Sequence, residues 1–394
     1  MLENLRPQPE DPILALMDRY REDPRQEKID LGVGVYRDSR GVTPVMRAVK
    51  SAERQLVEAQ DTKTYTTLAG DPAFVRAMAG LVLGDTVEAG RIAGAGTVGG
   101  TGAVRQGLEL LRLARPGACV HIPDPSWPNH RAILDALRMP VRTYRYFDAE
   151  ANGVDMPGLL ADLRAVPEGD IVLLHGCCHN PTGADPNVAE WQEIVAVLKA
   201  RGVTVLIDLA YLGFGDGIGE DAFATRLLAQ ELPELVVAVS CSKNFGLYRD
   251  RAGAVLALSG SAALTGVVQA NLATLNRLAY SFPADHGAKV VEMILTSEAL
   301  SDDWAAELTE MRGRINGLRA DLAGALRAET GSDRFGFLAA QRGMFSRLGA
   351  TPAQIATLRA DHAVYMIGDG RMNIAGLSRA DIPRLARAIA AVCG

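Results

Sequence analysis

The chain has 394 residues, a formal net charge of -6 at pH 7 and 48% hydrophobic residues. This composition excludes a disordered chain and favours about two to three globular domains. The sequence contains no basic tract and no apolar run long enough to cross a membrane, so we expect neither a nucleic-acid nor a membrane partner. Five cysteines, with the adjacent pair Cys177 and Cys178, lack the spacing of a zinc site or a disulfide framework. We therefore predict reduced thiols, no metal and a cytoplasmic protein without a signal segment.

The first part of the chain predicts an arm followed by helices. Prolines in residues 1–12 favour an extended arm over a helix, and a helix is predicted over 12–20. Residues 29–36 form a strand-like run whose glycines indicate either close approach of a ligand or backbone, or a simple bend. Helical periodicity covers residues 45–59, and a further helix begins near Pro72.

A glycine cluster at residues 94–102 precedes an amphipathic helix predicted over 103–114. The free amides at the start of that helix could receive a phosphate group. The cluster also matches the dinucleotide pattern G-x-G-x-x-G, but residues 89–93 before it do not make a convincing strand. We therefore predict phosphate binding here and not dinucleotide binding.

From residue 118 onward, predicted strands and helices alternate, which indicates a mostly parallel sheet covered by helices on both faces. Predicted strands at 118–123, 171–175, 203–207 and 235–239 are each followed by polar or aromatic residues. Ligands of such sheets bind at the carboxyl ends of strands. A role in packing, in a turn or in capping a helix could explain each of these side chains alone. We nevertheless expect five of them to converge at one edge of the sheet: Trp127, Asn180, Asp208, Tyr211 and Lys243.

The segment that organises these strand ends is residues 240–251, SCSKNFGLYRDR, between the apolar runs 235–239 and 253–258. Lys243 follows two nearby serines, Ser240 and Ser242, and lies eight residues before Arg251. Hydroxyls and a guanidinium can hold an anion beside the amine, as a lysine that forms a Schiff base requires. The alternative is a solvated loop lysine, which is the common state of this residue type.

Four segments resemble the class I pyridoxal-phosphate aminotransferases of the aspartate and aromatic type: 125–130 (PSWPNH), 175–183 (HGCCHNPTG), 240–248 (SCSKNFGLY) and 370–376 (GRMNIAG). Segments 280–283 (YSFP) and 331–337 (GSDRFGF) resemble the bacterial aromatic amino acid enzymes more closely. The resemblance implies an α/β, fold type I transferase with a mostly parallel seven-stranded sheet in a large domain and a smaller α/β domain. It implies an arm at 1–10, a small domain from 11–44 and 311–394, a large domain at 45–310, and a homodimer with shared active sites.

The same resemblance implies pyridoxal 5′-phosphate as cofactor and assigns roles to matching positions. Lys243 would form the Schiff base and act as acid and base, and Asp208 would face the pyridine nitrogen. Tyr211 and Asn180 would bond the phenolic oxygen, while Trp127 would stack on the ring. The remaining residues implied to hold the phosphate are Gly100, Thr101, Ser240, Ser242, Arg251 and, from the other subunit, Tyr65.

Substrate binding is implied for Arg371, which matches the arginine that binds the α-carboxylate, although without the resemblance it reads as a surface arginine. Arg277 matches the arginine that pairs with an acidic side chain. Thr64 and Phe282 stand where aspartate enzymes usually place asparagines, so a less polar pocket would admit aromatic rings. The full set of expected substrate residues is Gly34, Trp127, Asn180, Arg277, Phe282 and Arg371.

We therefore predict ping-pong amino transfer between phenylalanine, tyrosine, tryptophan, aspartate or glutamate and 2-oxoglutarate or oxaloacetate. A plain aspartate aminotransferase with little aromatic activity is the first alternative. The others are a regulator that binds pyridoxal phosphate without turnover and a nicotinamide-dependent oxidoreductase. The sequence contains no helix-turn-helix segment or basic tract to accompany a regulator.

Overall fold

The computed structural model describes residues 1–7 and 11–394. The predicted arm falls partly on residues 8–10, which lie outside the described residues. Leu2–Asn4 form a short 3-10 helix, so the expectation that no helix forms there is wrong. The first α-helix begins at Pro12 as predicted, because the Asp11 carboxylate accepts from the amides of Ile13 and Leu14.

The elements follow one another along the chain with these bounds. The strands are β1 (Ile29–Asp30), β2 (Ile92–Val98), β3 (Val120–Asp124), β4 (Val141–Arg145), β5 (Phe147–Asp148), β6 (Gly153–Val154), β7 (Ile171–His175), β8 (Thr204–Leu209), β9 (Leu235–Ser240), β10 (Ala252–Leu258), β11 (Phe345–Arg347), β12 (Val364–Tyr365) and β13 (Arg371–Asn373). The helices are α1 (Pro12–Glu22), α2 (Arg47–Ala59), α3 (Pro72–Leu83), α4 (Gly99–Ala114), α5 (Pro128–Ala136), α6 (Met156–Ala165), α7 (Val188–Arg201), α8 (Ile218–Asp221), α9 (Phe223–Glu231), α10 (Ala262–Ala279), α11 (His286–Thr296), α12 (Glu298–Thr330), α13 (Phe337–Ala340), α14 (Pro352–His362) and α15 (Ile382–Cys393).

The chain divides into two compact units. The larger unit comprises Thr43–Asn180 and Ala184–Gly313, and the smaller comprises Met1–Val42, Pro181–Gly183 and Arg314–Gly394. The predicted domain ranges did not include residues 181–183 in the small domain, and as domains they stay a prediction.

Within residues 11–394, seven strands of the larger unit form one sheet in the order β2-β10-β9-β8-β7-β3-β4. The pairs from β9 to β4 are parallel, while β10 runs antiparallel to both neighbours, so the predicted mostly parallel seven-stranded sheet is confirmed. All residues of β7, β9 and β10 are buried, which explains their continuous apolar sequences. Gly107 of α4 lets the helix approach this sheet, because a Cβ there would lie 2.9 Å from Leu206 Cδ1.

The glycine cluster forms a strand and the start of a helix, although residues 89–93 do not make a convincing strand in sequence and the predicted helix begins at residue 103. Residues 92–98 are strand β2, paired with β10, and helix α4 begins at Gly99 instead of residue 103. A Cβ on Gly94 would lie 2.6 Å from Val75 Cγ1 and 3.0 Å from Leu256 Cδ2. Small residues are therefore needed where α3 and β10 pack against β2, and this packing outweighs their weak strand propensity.

The smaller unit has its own apolar core, which includes Leu31, Leu322, Val364, Leu385 and Ile389. It contains the parallel pair β1 and β12 and the antiparallel pair β11 and β13.

Three segments differ in part from what their sequences predict. Residues 29–36 contribute only the two residues of β1. The amphipathic pattern of residues 302–330 predicts helices, and these residues are helical but belong to the single helix α12. Residues 335–348 read as strands, but they contain only the short strand β11, preceded by helix α13. Among the described residues, no helix combines the length and apolarity that a membrane crossing requires.

Candidate active site

Three neighbouring strands of the larger unit bring polar side chains to one edge of the sheet. Asp208 lies one residue before the end of β8, opposite His175 of β7, while Lys243 follows the end of β9 by three residues. Because β7, β8 and β9 are parallel, their carboxyl ends lie at the same edge. The sequence had placed Asp208 just after its strand, but the strand continues to Leu209.

Lys243 lies against an aromatic side chain at this edge. Its Nζ atom is 4.9 Å from the centre of the Tyr211 ring, and the Asn180 Nδ2 donates a 3.3 Å hydrogen bond to the Tyr211 hydroxyl. Burial lowers the pKa of Lys243 to about 8, with Asp208 opposing the shift and Arg251 adding to it. The neutral fraction near neutral pH is therefore much larger than that of an ordinary lysine, which favours this amine as a nucleophile and base.

Asp208 is held by a buried hydrogen-bond chain. His130 Nε2 lies 2.9 Å from the Asp208 Oδ2, and the Ser126 hydroxyl lies 2.8 Å from His130 Nδ1. Burial would raise the pKa of Asp208, but the hydrogen bond from His130 and the electrostatic interactions with neighbours that include Lys243 outweigh burial and lower it. The carboxylate therefore stays ionised in a site where an isolated acid would not.

The Trp127 ring lies beside this chain. Trp127 immediately precedes helix α5, and its ring centre is 5.1 Å from that of His130 at an angle of 88°. An edge-to-face contact of this kind fixes the orientation of both rings. The structure thus brings Trp127, His130 and Asp208 into one connected group.

An anion cradle adjoins the same strand ends. A Cβ on Gly99 would lie 2.5 Å from Arg251 Nη2, and one on Gly100 would lie 2.7 Å from Ser240 Cβ. Only glycines therefore allow the start of α4 to approach Arg251 and Ser240 this closely, and the first turn of α4 contains no acidic residue.

Donors line the cradle. Arg251 Nη1 donates 3.2 Å hydrogen bonds to the Ser242 hydroxyl and to the Tyr248 carbonyl, and the Ser242 amide donates to Ser240 Oγ at 3.2 Å. The start of α4, with Gly100 and Thr101 in its first turn, completes a site suited to a phosphate dianion.

Comparison with known proteins places these features in a family. Residues 26–389 match the model of aminotransferase class I and II. The chain belongs to the class I and II aminotransferases. It is 56% identical over 389 residues to an aromatic-amino-acid aminotransferase of Paracoccus denitrificans, with 99% of each chain covered. It is 40% identical over 395 residues to an aspartate aminotransferase of Haemophilus influenzae, with 100% of each covered.

A solved structure supports the same family. An aromatic-amino-acid aminotransferase from Burkholderia pseudomallei, covalently bound to pyridoxal phosphate, superposes with a TM-score of 0.97 at 41% identity and 100% coverage of both chains. Family membership makes the alternative of a nicotinamide-dependent oxidoreductase wrong.

Two predicted site residues of this aminotransferase are exposed in the larger unit, and a third, Phe282, is partly buried. Tyr65 is 79% exposed and stacks on Phe282, with ring centres 4.6 Å apart. Arg277, near the end of α10, is exposed and donates a 2.7 Å hydrogen bond to the Ser281 hydroxyl. Tyr65 and Phe282 line a cavity of about 230 Å³ together with Thr64.

Two further predicted residues lie in the smaller unit, around a ring that the sequence reasoning missed. The Arg371 guanidinium carbon is 4.6 Å from the centre of the Phe345 ring, and a Cβ on Gly34 would lie 2.9 Å from Phe345 Cζ. Arg371 is only 5% exposed, so the alternative of a surface arginine is wrong.

The sequence reasoning also missed the residues that hold Asp208. His130 and Ser126 stand within the resembling segment 125–130, and His175 within the segment 175–183, but no role was predicted for them. The signal that could have found His130 is its spacing from Trp127, because residues three apart at the start of a helix share one face.

Proposed function

We propose that this aminotransferase uses pyridoxal 5′-phosphate to move amino groups between aromatic or acidic amino acids and 2-oxoglutarate or oxaloacetate. The observation that carries the proposal is the pairing of Lys243, whose pKa is lowered to about 8, with an ionised buried Asp208 beside an anion cradle. The relatives named above support both substrate classes, since one is an aromatic and the other an aspartate enzyme.

The residues present fit the cofactor. The phosphate would be held by Gly100, Thr101, Ser240, Ser242 and Arg251, and the proposal rests on the glycine-lined start of α4, which excludes any Cβ. Lys243 would hold the group covalently and Trp127 would cover its ring. When bound, the cofactor supplies an electron sink for the negative charge that develops at the substrate Cα.

Asp208, Asn180 and Tyr211 would orient and polarise the bound ring. The Asp208 carboxylate would keep a proton on the pyridine nitrogen, since His130 and Ser126 hold it in its ionised state. Asn180 and Tyr211, already hydrogen-bonded to each other at 3.3 Å, would donate to the ring oxygen.

Lys243 would also carry the proton transfers. An amine with a pKa of about 8 accepts a proton from the substrate Cα and returns it to a neighbouring carbon at little cost near neutral pH. Release of the first oxo acid before the second binds would give ping-pong kinetics.

Two arginines would bind the substrate. Arg371, buried against Phe345 beside Gly34, would pair with the α-carboxylate through its planar fork. Arg277 would pair with an acidic side chain. The Tyr65 and Phe282 stack is a less polar surface than an amide would give, which supports binding of an aromatic ring.

We further propose a homodimer with shared sites, two domains at residues 45–310 and at 11–44 with 311–394, and a cytoplasmic location. The exposure of Tyr65 and Arg277 supports the dimer, because each would act in the partner's site. Five free cysteines support a reducing compartment.

A side-by-side assay with phenylalanine, tyrosine and aspartate as donors and 2-oxoglutarate as acceptor tests the substrate range. We expect comparable kcat/KM for all three donors. Activity with aspartate but negligible activity with both aromatic donors would favour the plain aspartate aminotransferase, and no turnover with any donor would favour the regulator.

Hybrid dimers test the shared site. Mixing Lys243→Ala and Arg277→Ala subunits under conditions that exchange protomers should restore roughly a quarter of wild-type aspartate activity, since about half the dimers are hybrids with one intact site each. A protein that is monomeric and fully active would contradict the shared site.

A further inference from the structure

A cluster of three different side chains lies at the edge of the sheet opposite the active site. Strand β3 pairs in parallel with β7, with Val120 opposite Ile171. Cys119 and His121 flank Val120 and therefore point to the same face, since side chains alternate along a strand. Asp170 precedes Ile171 and comes into register with Cys119, so all three side chains meet at the amino ends of β3 and β7.

Their ligand atoms are close together. One ligand atom from each of Cys119, His121 and Asp170 lies within 4.8 Å of the other two. His121 Nε2 is 3.0 Å from Asp170 Oδ2. Two ligand atoms on a tetrahedral zinc ion are about 3.3 Å apart when each bond is about 2.0 Å, so the nitrogen and oxygen are already nearly at that spacing.

The backbone orients the Asp170 carboxylate. Asp170 Oδ1 accepts a 3.0 Å hydrogen bond from the Cys119 amide, which turns its other oxygen toward His121. Such hydrogen bonds to the ligands are what a metal site requires around it.

We propose that Cys119, His121 and Asp170 form a zinc site, with water as the fourth ligand. One sulfur, one imidazole nitrogen and one carboxylate oxygen suit Zn²⁺ and are a poor set for Mg²⁺ or Ca²⁺, which require several oxygens. His121 is 6% exposed and Cys119 is partly exposed, so the site is fixed by the strands but open to solvent on one side. The ion would join β3 to β7 and take no part in amino transfer.

Two other clusters in the described residues are weaker candidates. Cys177, Cys178 and Asp221 are all buried, and the Asp221 carboxylate already accepts hydrogen bonds from three backbone amides. The third cluster has no thiol, and its only imidazole, on His286, is exposed. Both provide control variants.

Zinc titration of the chelator-treated holoenzyme against a chromogenic competitor tests the proposal. We expect about one Zn²⁺ per chain, with binding weakened at least tenfold in Cys119→Ser, His121→Gln and Asp170→Asn. Cys177→Ser and His286→Gln should bind as the wild type does.

Cobalt provides a measurement that does not depend on any variant folding. Co²⁺ added to the wild-type holoenzyme should give a thiolate-to-cobalt charge-transfer band that Zn²⁺ abolishes. The absence of that band, the absence of zinc binding in the wild type, or loss of binding in the control variants in place of the three ligand variants would overturn the proposal.

Discussion

The larger unit contains two groups of predicted site residues, and they differ in burial and in how many of their contacts come from the same chain. Asn180, Asp208 and Lys243 are gathered at strand ends, and Asp208 is fixed through His130, which is fully buried. Tyr65 and Arg277 instead lie exposed. Tyr65 stacks on Phe282, and Arg277 donates a hydrogen bond to Ser281, four residues away.

The strand-end residues are already arranged within one chain for a chemical step, whereas the exposed residues need a second surface beside them before they can recognise a substrate. The Asp208 carboxylate is buried, and its own chain keeps it ionised by lowering its pKa. The free-energy cost of this arrangement is met when the protein folds and not during the reaction. An exposed arginine interacts weakly with an anion until water is excluded around it. The strand-end group should therefore govern the chemical step, and the exposed group should govern which substrate enters.

The strongest test of the strand-end group is Lys243→Ala. In the proposed mechanism this amine is both the covalent attachment and the acid and base, so we expect kcat to fall by at least about 10⁴-fold. The measurement is steady-state transamination, together with borohydride reduction and peptide mapping of the wild type. Lys199→Ala removes an exposed lysine paired with Glu231 and should leave kcat unchanged. Near wild-type turnover in Lys243→Ala, or the reduced label on another lysine, would contradict the assignment.

Asp208→Asn tests whether the charge or the size of the Asp208 side chain determines kcat. The amide matches the carboxylate in size but cannot stabilise a proton on the pyridine nitrogen, so kcat should fall by about 10² to 10⁴-fold. Cofactor content, measured by absorbance of the purified variant, should stay near that of the wild type. A variant that retains cofactor and full kcat would show that the negative charge of Asp208 is not needed.

The two groups also differ in how much the sequence revealed. The strand-end residues were predictable because buried parallel strands read as apolar runs and their ends converge at one edge. His130 was missed because its role depends on α5 returning to β8 across 78 residues, which local spacing does not reveal. Strand β2 was missed because its pairing with β10 and the packing of Gly94 against Val75 outweigh the weak strand propensity of glycine.

The exposure of Tyr65 and Arg277 could not be predicted from the sequence either. Arg277, Tyr65 and Phe282 were singled out through family resemblance alone, and the stack between Tyr65 and Phe282 joins positions far apart in sequence. In the smaller unit, the same limitation applied to Arg371, whose burial depends on the distant Phe345.

Arg277→Ala tests the claim that the exposed group selects substrates. A charge-assisted pair with a carboxylate contributes about 1.5 to 3 kcal/mol, so kcat/KM for aspartate should fall by roughly 10 to 150-fold. The value for phenylalanine should change by less than about threefold, because its ring makes no ion pair. Arg131→Ala, which removes an exposed arginine paired with Asp135, is the matched control. Equal losses for both substrates would mean that Arg277 acts on the shared chemistry.

The smallest expected effect, a shift in the pKa of Lys243, probes the strand-end group most directly. Burial and the charge of Arg251 lower this pKa to about 8, and the charge of Asp208 opposes them. In the cofactor-free protein, acylation of Lys243 followed by mass spectrometry should therefore rise with pH through a midpoint near 8. Asp208→Asn removes a negative charge that stabilises the ammonium, so its midpoint should move down. Arg251→Gln removes a positive charge and should move the midpoint up. If both variants shift the midpoint in the same direction, or neither shifts it, then Lys243 does not sense the charges of Asp208 and Arg251 and its pKa is set by burial alone.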